Sequence, residues 1–277
     1  MKKMEFLRKF LRSLGYDLVP YPPSDWARAR EALLRVLDRL AIDCVLDVGA
    51  NRGQYGDQLR EIGYKGWILS FEPVRASFEV LARHAAASPP WKAFPCALGA
   101  SDGQAEMQIG ESHFLNSFLV PLGPSKTLPM NRAIGTETVE LRRLDSIFTE
   151  CMEGVAARRI YLKLDTQGYD LEVLRGAERV LDHVLGAQTE LSFVPIYHGM
   201  PNYAESLNEF ERRGFGVVDF VPVTRVAGDL LMLEMDCVLA RKTESGEDPA
   251  GHPAPGSSGA EEAAALNASG HRATDAR

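Results

Sequence analysis

From Val45 to Tyr55 the chain reads Val-Leu-Asp-Val-Gly-Ala-Asn-Arg-Gly-Gln-Tyr, an apolar run that ends in an acid and turns through two glycines. Glycine permits a tight turn and lets a ligand lie against bare backbone. Asp47 and the turn amides of Gly49, Ala50 and Asn51 could then hold the amino-acid end of a cofactor. The plainer alternative is a strand–helix turn in which Asp47 only caps the helix. A second apolar run ends in Phe71-Glu72-Pro73, with Glu72 placed 23 residues after Gly49. A carboxylate at that point of an α/β sheet can accept two hydrogen bonds from ribose hydroxyls. Pro73 fixes φ and removes a donor, as fits a chain leaving a sheet.

The charge at Asp47 separates two nucleoside-type cofactors. A dinucleotide fingerprint has G-x-G-x-x-G with pyrophosphate on the helix N-terminus. Here the acid occupies the place of the first glycine. It would repel phosphate but suits a sulfonium amino acid. The electrostatics therefore favour S-adenosylmethionine and disfavour an NAD-dependent oxidoreductase.

These residues need a scaffold, and the hydrophobic pattern supplies one. Asp43–Val48 predicts a buried strand, Gly53–Ile62 a helix, Trp67–Phe71 a strand, Arg75–Ala87 a helix and Trp91–Ala97 a third strand. Short strands follow at Ala105–Ile109 and Thr138–Leu141. Alternation resumes with a strand at Arg159–Leu164, a helix at Asp170–His183 broken near Gly176, and a strand at Ala187–Phe193. Tyr203–Arg213 predicts a helix, and Phe215–Pro222 and Leu230–Ala240 the last strands. Such alternation implies a parallel sheet with helices on both faces. Ahead of it, Ser24 and Asp25 cap a helix with an apolar stripe of Trp26, Ala29, Leu33, Leu37 and Leu40. Residues 1–23 form a basic amphipathic segment broken by three prolines, better suited to packing on protein than to a membrane surface. Residues 242–277 hold no aromatic and one large aliphatic, and read as a disordered tail. The folded domain is expected over 24–241.

Taken together, Asp47-Val-Gly-Ala-Asn-x-Gly-x-Tyr, Phe71-Glu-Pro and Lys163-Leu-Asp-Thr-Gln-Gly168 resemble the FkbM-family methyltransferases. So do Leu171-Glu-Val-Leu-Arg-Gly-Ala, Glu190-Leu-Ser-Phe-Val-Pro-Ile-Tyr197 and Glu234-Met-Asp-Cys-Val. The resemblance runs from about residue 43 to 241. It implies the class I methyltransferase fold, a Rossmann-like seven-stranded, mostly parallel sheet whose last strand is antiparallel. It also implies methyl transfer from S-adenosylmethionine, usually to a hydroxyl oxygen. Asp47, Gly49, Asn51, Gly53 and Glu72 would line the methionine and ribose end, with Ala50, Tyr55 and Pro73 beside them. Ala97-Leu98-Gly99 would lie near the adenine. The acceptor classes associated with the family are sugars, glycans and polyketide-type small molecules.

Methyl transfer to oxygen needs in-line alignment and help in removing the hydroxyl proton. Asp165, at the carboxyl edge of the sheet, is the first choice as base or orienting group, and a turn-capping role is its alternative. His198 has a suitable pKa range, but many family members carry an acid there, so its catalytic role departs from the pattern. Glu190 and Tyr197 are family-like pocket residues, whereas Glu234 and Asp236 share one face of a strand and fit a buried polar network. Some enzymes of this fold bind Mg2+ near the acceptor. Hard cations take oxygen ligands from scattered positions, so spacing leaves metal open. A lid or acceptor platform is expected in Glu111–Arg132, which contains His113, Phe114, Asn116, Ser117 and Phe118, together with the first 23 residues.

Composition narrows the classes. Net charge is -7, which disfavours nucleic acid as partner. Cys44, Cys96, Cys151 and Cys237 lie far apart, unlike a zinc site or disulfide framework. No apolar run is long enough for a transmembrane helix, and the basic start is too interrupted for a signal peptide, so stable membrane insertion is not expected and a cytoplasmic enzyme is. A homo-oligomer is compatible with the sequence. A catalytically inactive methyltransferase-like scaffold is the competing class, weakened by the presence of Asp47, Gly49, Glu72 and Asp165 together.

Overall fold

A computed structural model describes residues 25–242 apart from 227 and 229. The basic segment 1–23, the Ser24 cap and nearly all of the expected tail lie outside the described residues. The order is α1 (Asp25–Arg39), β1 (Cys44–Val48), α2 (Gln54–Glu61), β2 (Trp67–Phe71), α3 (Arg75–Ala87) and β3 (Trp91–Phe94). Then come β4 (Ala97–Leu98), β5 (Gly103–Gly110), β6 (Ala133–Arg142), α4 (Leu144–Cys151), β7 (Ile160–Leu164) and α5 (Asp170–Arg175). β8 (Val184–Ser192), α6 (Tyr203–Arg212), β9 (Phe215–Arg225) and β10 (Met232–Arg241) complete it.

Seven strands form one sheet in the order β3-β2-β1-β7-β8-β10-β9. The contacts among β3, β2, β1, β7 and β8 are parallel, and β10 runs antiparallel to both neighbours. This is the class I sheet that the sequence implies, with the last strand reversed. Strand residues alternate between the two faces. Val45, Ile68 and Tyr161 pack with Leu33, Val36, Leu37 and Leu40 of α1, Leu59 of α2 and Leu81 of α3. Leu46, Leu69, Leu162 and Leu164 pack on the other face with Ile147 of α4, Leu174 of α5 and Phe210 of α6. β1 and β7 are buried along their full length, as central parallel strands covered on both faces must be.

Several boundaries differ from the sequence expectation. The third strand stops at Phe94, and Ala97–Leu98 joins a separate three-stranded sheet, β4-β6-β5. α4 is a two-turn helix that the pattern did not reveal. The predicted helix over 170–183 ends at Arg175 and resumes as a 3-10 turn at Val180–His183. All four cysteines are buried and unpaired.

Candidate active site

The parallel strands end at one edge, and the turn after β1 is bent there by three left-handed residues, Gly49 (φ 76), Asn51 (φ 50) and Gly53 (φ 92). Gly49 cannot be replaced without movement, because a Cβ there would lie 1.9 Å from the carbonyl oxygen of Asp165. The amides that the sequence offers to a ligand are already engaged. Gly49 and Ala50 both donate to the Phe71 carbonyl at 3.1 Å, and Asn51 donates to Glu72 Oε2 at 2.9 Å. Glu72 also accepts the Val74 amide at 2.9 Å. Burial pushes this carboxyl up to about 7, and the two amide bonds partly oppose the shift. Its position is thus set by backbone at the ends of both β1 and β2.

The 111–132 segment folds onto this turn. His113 Nδ1 lies 3.0 Å from Asn51 Oδ1, and Asn51 Nδ2 donates to the His113 carbonyl at 3.3 Å. Partial burial, then Arg52, lowers the His113 pKa, which favours a neutral ring.

Asp47 is not among the residues that line the cavity. It is fully buried, accepts from Ser70 Oγ at 3.0 Å and is 3.2 Å from Lys163 Nζ. Direct contact between Asp47 and a cofactor, expected from sequence, is not what this placement provides. Its neighbour across the β1–β7 ladder is Lys163 itself, so the acid balances a buried ammonium. Lys163 also lies 3.4 Å from Asp165 Oδ2 and 5.2 Å from the centre of the Tyr55 ring. Burial alone would lower the Lys163 pKa; Asp165 and Asp47 outweigh it and hold the ammonium well above its usual range.

In the turn after β7, Gln167 (φ 54) is held in a sparsely populated backbone conformation. Its Nε2 donates to Asp165 Oδ1 at 3.2 Å and approaches Glu190 Oε2 at 3.5 Å, while its Oε1 accepts from the Tyr197 hydroxyl at 3.0 Å. Asp165 does not cap its own turn. Asp170 does, accepting the Thr166 amide at 2.9 Å and the Thr189 hydroxyl at 2.6 Å. Glu190 and Asp236 face each other across the β8–β10 ladder, with Glu234 two residues along. Burial is the first cause of upward shifts at all three. Glu234, next raised by Asp165, reaches about 7; Asp236, likewise raised by Asp165, reaches about 6. Glu190, next raised by Glu234, lies well above its ordinary range.

A cavity of about 390 Å³ opens at this edge of the sheet, within the roughly 300–1,000 Å³ of small-molecule sites. Of the cofactor-site residues expected from sequence, Gly49, Asn51, Glu72, Pro73, Ala97, Leu98 and Asp165 line it, and so do Glu190, Glu234 and His113, Phe114, Asn116 and Phe118 of the 111–132 segment. Asp47, Ala50, Gly53 and Tyr55 are not in the lining. Ala50 is buried, and the Tyr55 hydroxyl donates to Gln188 at 3.1 Å. His198 is exposed and also outside the lining; its amide donates to the Val120 carbonyl at 2.9 Å. Sequence reasoning missed Gln167 as the connecting side chain and gave Glu234 only a structural role, although it lines the cavity. Strand alternation had placed Glu234 on a face but could not say which face meets the cavity. Among the described residues no group of three or more His, Cys, Asp or Glu side chains could hold a metal ion, and no helix is long and apolar enough to cross a membrane.

The family model described as Methyltransferase FkbM domain matches residues 47–217. Methyltransferase sdnD of Sordaria araneosa is 30% identical over 156 residues, covering 48% of this chain and 60% of that protein, so the match spans less than two thirds of the relative. An rRNA methylase from Streptococcus thermophilus aligns with a TM-score of 0.40 at 10% identity, over 79% of this chain and 97% of that one. Precorrin-6y C5,15-methyltransferase from Geobacter metallireducens aligns at 0.39 and 10%, over 76% and 86%.

Proposed function

This chain belongs to the FkbM methyltransferase family, and we propose that it transfers methyl from S-adenosylmethionine to a hydroxyl oxygen of a sugar, glycan or polyketide-type small molecule. The observation that carries the reading is a single cavity whose lining combines two chemically different groups of residues: Gly49, Asn51 and Glu72 from the turns after β1 and β2, and Asp165, Glu190 and Glu234 from beyond β7 and along β8 and β10. The backbone-anchored Glu72 carboxylate, lining the cavity beside Gly49 and Asn51, suits an adenosyl ligand. Carboxylates in surplus near the cavity suit a cation and disfavour a pyrophosphate.

Gly49, Asn51 and Glu72 would hold the methionine and ribose portions, and Ala97 and Leu98 the adenine. S-adenosylmethionine supplies an activated methyl group when bound. Asp165, tied to Lys163 and to Gln167, is fixed in direction and orients the acceptor hydroxyl. The apolar walls at Leu115, Phe118 and Leu128 exclude water from the transfer path.

The test is calorimetric titration of the purified protein with S-adenosylmethionine and, separately, with NAD. Binding of S-adenosylmethionine alone is expected. Binding of NAD instead would overturn the reading, and binding of neither would make a scaffold role the better account.

A further inference from the structure

Glu190 and Glu234 project from adjacent antiparallel strands onto one face of the sheet and both line the cavity. Glu234 is only 7% exposed, yet its Oε1 has no hydrogen-bond partner. Glu190 is approached by Gln167 Nε2 at 3.5 Å, a long contact. Other ionisable groups around them are Asp165 beyond the end of β7, Asp170 on α5, Asp236 on β10 and the Tyr197 hydroxyl. The nearby cation, Lys163, is already shared by Asp47 and Asp165. An unpartnered carboxylate oxygen facing a cavity, beside a second carboxylate and without its own cation, is a site waiting for a proton or a donor.

Resting on the donor reading above, we infer that Glu190 and Glu234 form a paired proton acceptor for the transfer reaction and take an acceptor that carries a hydroxyl and no negative charge. The acceptor oxygen forms its bond to the methyl carbon as the carbon–sulfur bond breaks, and that bond's electron pair remains on sulfur. The hydroxyl proton passes to the carboxylate pair. Charge is conserved, because the positive charge lost at sulfur is matched by neutralisation of one carboxylate. The same electrostatics couple the pair to the methyl donor. A neighbouring sulfonium favours the fully ionised pair, which is its basic form, and loss of that charge favours the pair that has taken up a proton.

The experiment measures proton release on binding S-adenosylmethionine and, separately, S-adenosylhomocysteine, by calorimetry near pH 7 in buffers of different ionisation enthalpy. Apo protein carrying carbon-13-labelled glutamate carboxyls is titrated by NMR in parallel. We expect proton release with S-adenosylmethionine, little with S-adenosylhomocysteine, and loss of the release in both Glu234→Gln and Glu190→Gln. In the apo spectra Glu234→Gln should move the Glu190 titration down towards the ordinary carboxylate range. Equal release with the two ligands, or release unchanged in both variants, overturns the pair while leaving the donor reading intact. No binding of S-adenosylmethionine overturns the donor reading instead, and the apo spectra still decide the pair. Independent titration of the two carboxyls in the ordinary range refutes it. Circular dichroism of each variant separates misfolding from a specific loss.

Discussion

The Cα of Gly49 packs on the backbone carbonyl of Asp165, so closely that a Cβ would sit 1.9 Å from the oxygen. The Asp165 amide in turn donates to the Val48 carbonyl at 3.1 Å. The turns after β1 and β7 are therefore joined through backbone. Gly49→Ala should cost about 2–4 kcal/mol, from the left-handed backbone together with the clash, and should lose S-adenosylmethionine binding. Denaturant unfolding checks the first part; an unchanged midpoint would show that the β1 and β7 ends can separate freely.

Lys163 neutralises a fully buried acid. Lys163→Met should destabilise by about 3–5 kcal/mol, because Asp47 is left charged with no cation. Adding Asp47→Asn should recover much of that loss. Thermal unfolding of both single variants and the double variant tests the pairing, and strictly additive losses would argue against it.

Glu72 is expected to govern donor affinity. Glu72→Gln removes the charge but keeps most of the shape, and should weaken S-adenosylmethionine binding by about tenfold or more. Calorimetry with wild type and variant is sufficient. Unchanged affinity would place the ribose elsewhere.

Folding raises the carboxyls of Glu72 and Glu234 from 4.5 to about 7. Each then binds its proton more tightly in the folded chain than in the unfolded one. Their contribution to stability is complete below pH 4.5 and declines as pH rises towards 7. The apo protein should therefore show a component of stability that falls across this interval, and Glu234→Gln should flatten it. Urea unfolding at several pH values reports the difference in slope. A variant with the wild-type slope would remove Glu234 as its source.

His198 is exposed and outside the cavity lining. His198→Ala should change stability by no more than about 0.5 kcal/mol and leave S-adenosylmethionine affinity unchanged. A large loss of affinity would require a rearrangement that brings the ring inward.

The order of the parallel strands and the positions of Gly49, Glu72 and Asp165 at their ends were legible because apolar runs and turn residues are local signals. The role of Asp47 was not. Its partner Lys163 stands 116 positions away in sequence, and only the β1–β7 register makes them neighbours. The same holds for Glu234, whose relation to Glu190 depends on an antiparallel ladder. α4 was hidden because its eight residues are too few for a clear helical stripe. The side sheet was hidden because Ala97–Leu98 is a two-residue strand.

β10 runs against its neighbours, so its first residues rather than its last reach the edge where the other strands finish. The carboxylate proposed to receive the proton arrives only when the final strand slots between β8 and β9. The proposed base is therefore a property of the seam: neither β8 nor β10 supplies it alone, and it exists only where the reversed strand meets its neighbour.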